Sequence, residues 1–119
     1  MSLFTCAGFD AELGQLPGVS FVDQWEARVA KVGGKVFCLL SDAPSHRLVF
    51  KSGEASFDIL TALDGVDQAP YFAKRQWVSI TQDAPLGADD LSAYIARSHA
   101  LVASGLTKKL RAELDIPTG

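Results

Sequence analysis

The sequence contains few of the side chains that bind metals or form disulfides. Of its 119 residues, two are cysteines, Cys6 and Cys38, and two are histidines, His46 and His99. The cysteines lack the paired spacing of zinc sites and redox motifs, and no cluster of ligands surrounds either histidine. We therefore expect no metal site and no disulfide, and we interpret both cysteines as small apolar residues.

Long apolar runs and a secretory leader are also missing. No stretch approaches the roughly 20 apolar residues that span a bilayer, and the first residues lack a basic segment followed by an apolar one. We expect a cytoplasmic protein that does not enter a membrane. Gly33-Gly34 lacks the flanking glycines, lysine and helix of a phosphate-binding loop, so we expect no nucleotide cofactor.

Positive charge is not in excess. Eleven Lys and Arg against 14 Asp and Glu give a formal net charge of -3, so any nucleic-acid site must be a local patch. A catalytic set is missing as well. Ser98 is adjacent to His99 but points about 100° away from it on a helix, and Cys38 lies in an apolar strand. We expect the protein not to be an enzyme.

Apolar residues make up 48% of the chain, which is ample for one packed core, and we expect a single domain over residues 1–119. Gly33-Gly34 separates two strand-like runs, and this pattern predicts a tight hairpin, since glycine accepts the positive φ that such a turn requires. The preceding residues 19–32 alternate like one half-buried strand. The apolar return strand over 36–41 is predicted to be central, and a third strand over 47–51 makes a meander.

Further periodic segments predict helices and one more strand. Asp89 and Asp90 favour the start of a long helix because acids in a first turn complement the helix dipole. The whole pattern predicts an α+β fold with two layers, an antiparallel meander built on the Gly-Gly hairpin and packed against helices. The remaining predictions are a helix within residues 1–16, a short helix over 54–63, a strand over 76–81 with Trp77 facing away from Val78 and Ile80, and a last helix after Gly105.

Two short basic clusters are the best candidates for a binding surface. Residues 71–77 place two basic side chains between aromatic ones, as proteins that hold phosphates and stack on bases often do. A second cluster, Lys108, Lys109 and Arg111, is predicted on the exposed side of the last helix. The structural alternative is a set of core aromatics with two solvated cations between them, and a solvated helix face. Together the clusters would neutralise several phosphates only if they met in space.

Several segments resemble, in order and spacing, the bacterial MmcQ/YjbR-like family. They are LPGV at 16–19, VGGKVFCLLS at 32–41, Tyr71 with KRQWVSI at 74–80, and the closing positions Tyr94-Ile95, Ser98, Leu101-Val102 and 106–111. The chain has Thr107 where many members have proline. The resemblance implies an α+β fold described as CyaY-like, and a DNA-binding function that has been proposed for a double-wing surface.

The resemblance implies Lys74, Arg75 and Trp77 as nucleic-acid contacts, with Lys108, Lys109 and Arg111 behind them. The leading hypothesis is a non-enzymatic protein that binds the phosphates of double-stranded DNA through a local basic patch. The alternative is a protein-interaction or small-ligand module without nucleic-acid activity, which would use an exposed sheet face or residues 71–77. The acidic net charge fits this alternative better.

Overall fold

Six strands form one antiparallel sheet with the order β1-β2-β3-β4-β6-β5, and helices pack against it. The computed structural model describes residues 3–24, 26–41, 47–69 and 75–114. This arrangement confirms the predicted α+β class. The elements are α1 (Cys6–Leu13), β1 (Val19–Gln24), β2 (Ala27–Val32), β3 (Lys35–Ser41), β4 (Arg47–Lys51), α2 (Glu54–Thr61), β5 (Val66–Gln68), β6 (Trp77–Thr81), α3 (Ala88–Ala103) and α4 (Lys108–Glu113).

The hairpin predicted at Gly33-Gly34 joins β2 to β3. The two glycines have φ of +58° and +83°, which glycine adopts without the strain that a Cβ would cause. β3 pairs with β2 on one side and with β4 on the other, so the apolar return strand is internal, as predicted. β4 has the predicted bounds, and Leu48 and Phe50 both point into the main core.

The prediction of one strand over residues 19–32 is wrong. The segment forms two antiparallel strands, β1 and β2, with Gln24 opposite Ala27 across a tight turn. Glu26 in that turn has φ of +55°, a conformation uncommon for a residue other than glycine. The turn contains no Gly, Pro or Asn, and the alternation continues through both strands, so nothing in the sequence marks the break.

Two further differences concern short elements. β5 has only three residues, which is too short for a period-two pattern to stand out. α2 ends at Thr61, two residues before the predicted end. Among the described residues, no helix is long and apolar enough to cross a membrane.

The main core lies between the helices and one face of the sheet. α1 contributes Phe9 and Leu13, α3 contributes Ile95 from its apolar stripe, and the sheet contributes Phe37 and Phe50. α3 crosses β3 and β4. Because all four helices contribute to this core, either by buried or by partly buried side chains, they occupy the same face of the sheet.

The opposite face of the sheet has a second, smaller apolar cluster. None of its described members belongs to a helix, and Trp77 is the largest of them. Trp77 therefore points away from the main core, whereas Val78 and Ile80 point into it, as predicted. Its buried members are Ala27, Val29, Leu39, Val49, Ala69 and Trp77.

Candidate nucleic-acid interface

The strand registers bring several strand ends together at one end of the sheet. Val32 pairs with Lys35 at the glycine hairpin, and Lys51 at the end of β4 pairs with Trp77 at the start of β6. Cys38 pairs with Phe50, which aligns these two pairs of strands. We call this the hairpin end of the sheet. The opposite end, which includes the turn at Glu26, is the far end.

α4 packs against the glycine hairpin. A Cβ added at Gly33 would lie 2.7 Å from Cδ1 of Leu106 and 3.2 Å from Cδ2 of Leu110, so the leucine edge before and within α4 covers Gly33 closely. Thr107 caps the helix, with its hydroxyl accepting a hydrogen bond from the Leu110 N–H at 3.1 Å. The second basic cluster is therefore at the hairpin end.

The basic side chains of α4 have two different environments. Lys108 and Lys109 are exposed, as predicted. Arg111 is only half exposed, and its Nε is buried without a hydrogen-bond partner within the described part of the chain. Lys35 adds to this cluster, because its Nζ lies 3.8 Å from where a Cβ on Gly105 would be. Three lysines thus lie at the hairpin end on the helix side of the sheet.

Arg75 lies in the turn that leads into β6, at the same end of the sheet. Its Nη2 donates to Oδ2 of Asp58 at 2.8 Å, and its guanidinium is 5.7 Å from the ring centroid of Phe57. Its backbone N–H donates to Oε1 of Gln68 at 2.8 Å, and its φ is +64°. α2 therefore holds the side chain at the surface. Lys74, the neighbouring predicted contact, lies outside the described residues.

Trp77 is only 9% exposed and packs in the second cluster. Its indole has little surface on which a base could stack. Of the two roles considered for this residue, packing is the one its burial supports. Its cross-strand partner Lys51 is half exposed and lies on the same face of the sheet.

Charge is divided between the two ends of the molecule. Seven of the ten Lys and Arg in the described segments lie at the hairpin end, with three of the 12 Asp and Glu. We call the seven the basic surface: Lys31, Lys35, Lys51, Arg75, Lys108, Lys109 and Arg111. The three acids beside them are Glu54, Asp58 and Glu113.

The other basic side chains are mostly neutralised by acids. Arg28 binds Asp10 with two hydrogen bonds of 2.9 and 3.0 Å, and this pairing raises the pKa of the guanidinium. Arg47 binds Asp67 at 3.1 Å. Despite the net charge of -3, positive potential is therefore expected at the hairpin end and negative potential at the far end.

The residues weighed for covalent chemistry have structural partners. The hydroxyl of Ser98 donates to the carbonyl of Phe37 at 2.6 Å and accepts from the N–H of Lys51 at 2.9 Å. Burial raises the pKa of the Cys38 thiol, which keeps it protonated. Cys6, by contrast, is exposed.

His99 on α3 is buried. It is 5% exposed, its Nε2 lies 2.7 Å from the carbonyl oxygen of Pro17, and its ring meets Phe37 edge-on at 5.2 Å. Pro17 is 82 positions away from His99 in sequence, so helix periodicity alone could not reveal the contact. Among the described residues, no group of three His, Cys, Asp or Glu could hold a metal ion.

Comparisons with known proteins support the resemblance seen in the sequence. The fold is similar to a crystal structure of a Deinococcus radiodurans protein with the domain DUF419, with a TM-score of 0.82, 25% identity, and coverage of 95% of this chain and 89% of that one. A Pseudomonas syringae protein has the same fold, with a TM-score of 0.70, 18% identity, and coverage of 82% and 97%.

No curated protein matches the sequence significantly. A profile of the family YjbR matches residues 14–101, which include the glycine hairpin, β6 and most of α3. The match stops before α4, so the second basic cluster is outside it. Since the matched segment is well over half of the chain, the protein belongs to the YjbR family.

Proposed function

We propose that this protein binds double-stranded DNA without catalysing a reaction, by contacting backbone phosphates through the basic surface. The observation that supports this proposal is the concentration of seven of the ten described Lys and Arg residues at one end of the sheet. A local excess of positive charge attracts a polyanion even when the whole molecule is acidic.

The dimensions of the basic surface suit several phosphates. From β2 to β6 there are three strand spacings, about 14 Å in all, and α4 extends the surface beyond the hairpin. Duplex DNA presents one negative charge per about 1.7 Å of its axis. Lysines dominate the surface, and Trp77 is buried, so the contacts would be electrostatic and largely independent of base sequence.

Salt dependence of binding tests the proposal. We would measure the affinity for a fluorescein-labelled mixed-sequence duplex by anisotropy across a range of salt concentrations. Each lost phosphate contact should reduce the slope of log K against log salt by about 0.9. The double variant Lys108→Gln/Lys109→Gln should therefore lower the slope by about 1.8.

Arg97→Gln is the matched control, because Arg97 is an exposed cation on α3 outside the basic surface. It should leave the slope unchanged. The proposal is wrong if the protein binds no mixed duplex at low salt. It is also wrong if Arg97→Gln reduces the slope per charge as much as the α4 variant does.

The protein-interaction alternative receives less support. It would use an exposed apolar patch of several hundred Å², but the described apolar residues on the second sheet face are buried or half-buried. Among the described residues, Ile59 on α2 is the one large hydrophobic side chain that is strongly exposed, at 67%. A single exposed side chain is ordinary for a protein surface.

A further inference from the structure

A groove opens on the helix side of the molecule, between α1 and the segment that leads into α3. Its volume is about 420 Å³, within the range of small-molecule sites. Gly8 and Ala11 on α1 and Ala88 at the start of α3 line it. These small residues leave the space that larger side chains would fill.

The groove has apolar walls. Leu3 and Phe4 line it before α1, and Leu86 and Leu91 line it from the side of α3. Leu3, Phe4 and Leu91 are at the same time part of the main core, which fixes their positions. Leu86 is half-buried, so the apolar part of a small ligand would bury its surface mainly against this side chain and only against the exposed edges of the other three.

A carboxylate is fixed at this groove. Ser92 donates its hydroxyl hydrogen to Oε1 of Glu12 at 2.5 Å, and both residues line the groove. This hydrogen bond orients the carboxylate and leaves Oε2 as an acceptor. Ser92 and Glu12 are 80 positions apart in sequence, so the fold alone brings them together.

The one charged side chain among the groove's described lining residues is the acid Glu12. Neither Lys nor Arg is among its described lining residues. Asp83 follows the lining residue Gln82, and Asp89 follows the lining residue Ala88. The groove thus lies in the acidic part of the molecule, away from the basic surface, where the field favours a cation.

We propose that this groove binds a small organic cation with an apolar body, such as an arylalkyl ammonium compound. The ammonium group donates to Oε2 of Glu12 as a charge-assisted hydrogen bond. The apolar body lies against Leu3, Phe4, Leu86 and Leu91. None of the described lining residues belongs to the basic surface, and the proposed binding does not depend on DNA binding.

Three probes of similar shape and different charge test this site on the unmodified protein. Phenethylammonium, phenylethanol and phenylpropionate would be titrated into the isotope-labelled protein, and binding would be followed by the amide shifts of Ala11, Glu12 and Ser92. The cation should bind at least about tenfold more tightly than the alcohol, since a hydrogen bond between charged groups is the stronger one. The anion should bind most weakly.

Two variants and a control locate the contact. Glu12→Gln should weaken binding of phenethylammonium roughly tenfold and remove the preference over phenylethanol. Ala11→Leu, which fills the groove from an exposed helix position, should weaken all three probes. Glu113→Gln removes the same charge from α4 and should change nothing.

The melting temperature of each variant checks that it is folded. If Glu12→Gln does not fold, the ranking of the three probes on the unmodified protein still tests whether the groove prefers a cation. Equal binding of the cation and the anion would overturn the proposal, as would the absence of shifts at these amides with about 10 mM phenethylammonium.

Discussion

Single side chains connect distant parts of this fold. Ser98 on α3 bridges β3 and β4 through one hydroxyl, which bonds the carbonyl of Phe37 and the N–H of Lys51. In the sequence, Ser98 is a candidate nucleophile because it is adjacent to His99. In the structure its hydroxyl bonds two backbone groups instead. One of them belongs to Lys51, the last residue of β4 and a member of the basic surface.

Ser98→Ala should destabilise the protein by about 2–4 kcal/mol, because it leaves a buried carbonyl and a buried N–H without this partner. Urea denaturation followed by circular dichroism measures the change. Ser104→Ala is the control, since that exposed hydroxyl bonds only the nearby carbonyl of Leu101. Equal midpoints for the two variants would contradict the bridging role.

The two thiols should differ sharply in reactivity. Cys6 is exposed, whereas burial raises the pKa of Cys38 and keeps it as the unreactive thiol at pH 8. Ellman's reagent should therefore titrate one thiol in the native protein and two after denaturation in guanidinium. Cys6→Ser should abolish the native reaction. Two thiols that react at similar rates in the native protein would show that Cys38 is accessible.

The sequence predicted the exposure of some side chains and not of others. Lys108 and Lys109 are exposed on α4 as their spacing to the leucines predicts. Cys6 is exposed and His99 is buried, and both outcomes depend on contacts that local periodicity does not encode. Pro17, which accepts the hydrogen bond from His99, belongs to a loop between α1 and β1.

At the scale of elements, the glycine hairpin links the sheet to α4. Both glycines have positive φ, but only Gly33 is also covered, with Leu106 Cδ1 at 2.7 Å from an added Cβ. At Gly34 an added Cβ meets nothing within 4 Å. Substitutions at the two positions therefore distinguish the cost of backbone strain from the cost of displaced neighbours.

Gly34→Ala should cost about 1–2 kcal/mol, the strain of a left-handed residue. Gly33→Ala should cost clearly more, because it also displaces Leu106 and Leu110. Denaturant midpoints of the two variants measure this ranking. Gly33→Ala should also weaken DNA binding at low salt, since it disturbs α4. If Gly34→Ala is the more damaging change, α4 does not pack on the hairpin as described.

The elements that were predicted correctly are bounded by residues typical of turns or of helix ends. Gly33-Gly34 marks the β2–β3 turn, and Asp89 and Asp90 lie in the first turn of α3. The turn before Ala27 lacks such a marker, which is why β1 and β2 were predicted as one strand. β5 forms because β6 and α2 lie beside it, and its three residues contain no pattern of their own.

At the scale of the whole molecule, the division of charge is the feature that composition hides. A net charge of -3 argues against nucleic-acid binding, but this sum does not show where in the fold the charges lie. Lys31, Lys35 and Lys51 were in none of the predicted clusters, because only the strand registers bring them to the hairpin end, where α4 and Arg75 also lie. The candidate surface is therefore larger than the sequence indicated.

Asp58→Asn should strengthen DNA binding several-fold at low salt. Asp58 holds the Arg75 guanidinium at 2.8 Å, and both side chains are more than half exposed, at 69% and 58%. Such a surface pair contributes little to stability, so the variant should fold normally while releasing Arg75 for a phosphate. Asp67→Asn, which frees Arg47 away from the basic surface, is the matched control. Equal gains for both variants would mean that net charge alone matters.

Amide chemical-shift mapping with a short mixed-sequence duplex tests the central claim most directly, because it reports where DNA binds as well as whether it binds. At low salt we expect the largest shifts around the hairpin end, at Gly33, Gly34, Lys35, Gly53, Arg75 and Lys108. Glu26, Gly65 and Gly87 at the far end should not move. Shifts concentrated at these far-end residues, or no shifts at low salt, would contradict the claim that the basic surface is a DNA-binding site.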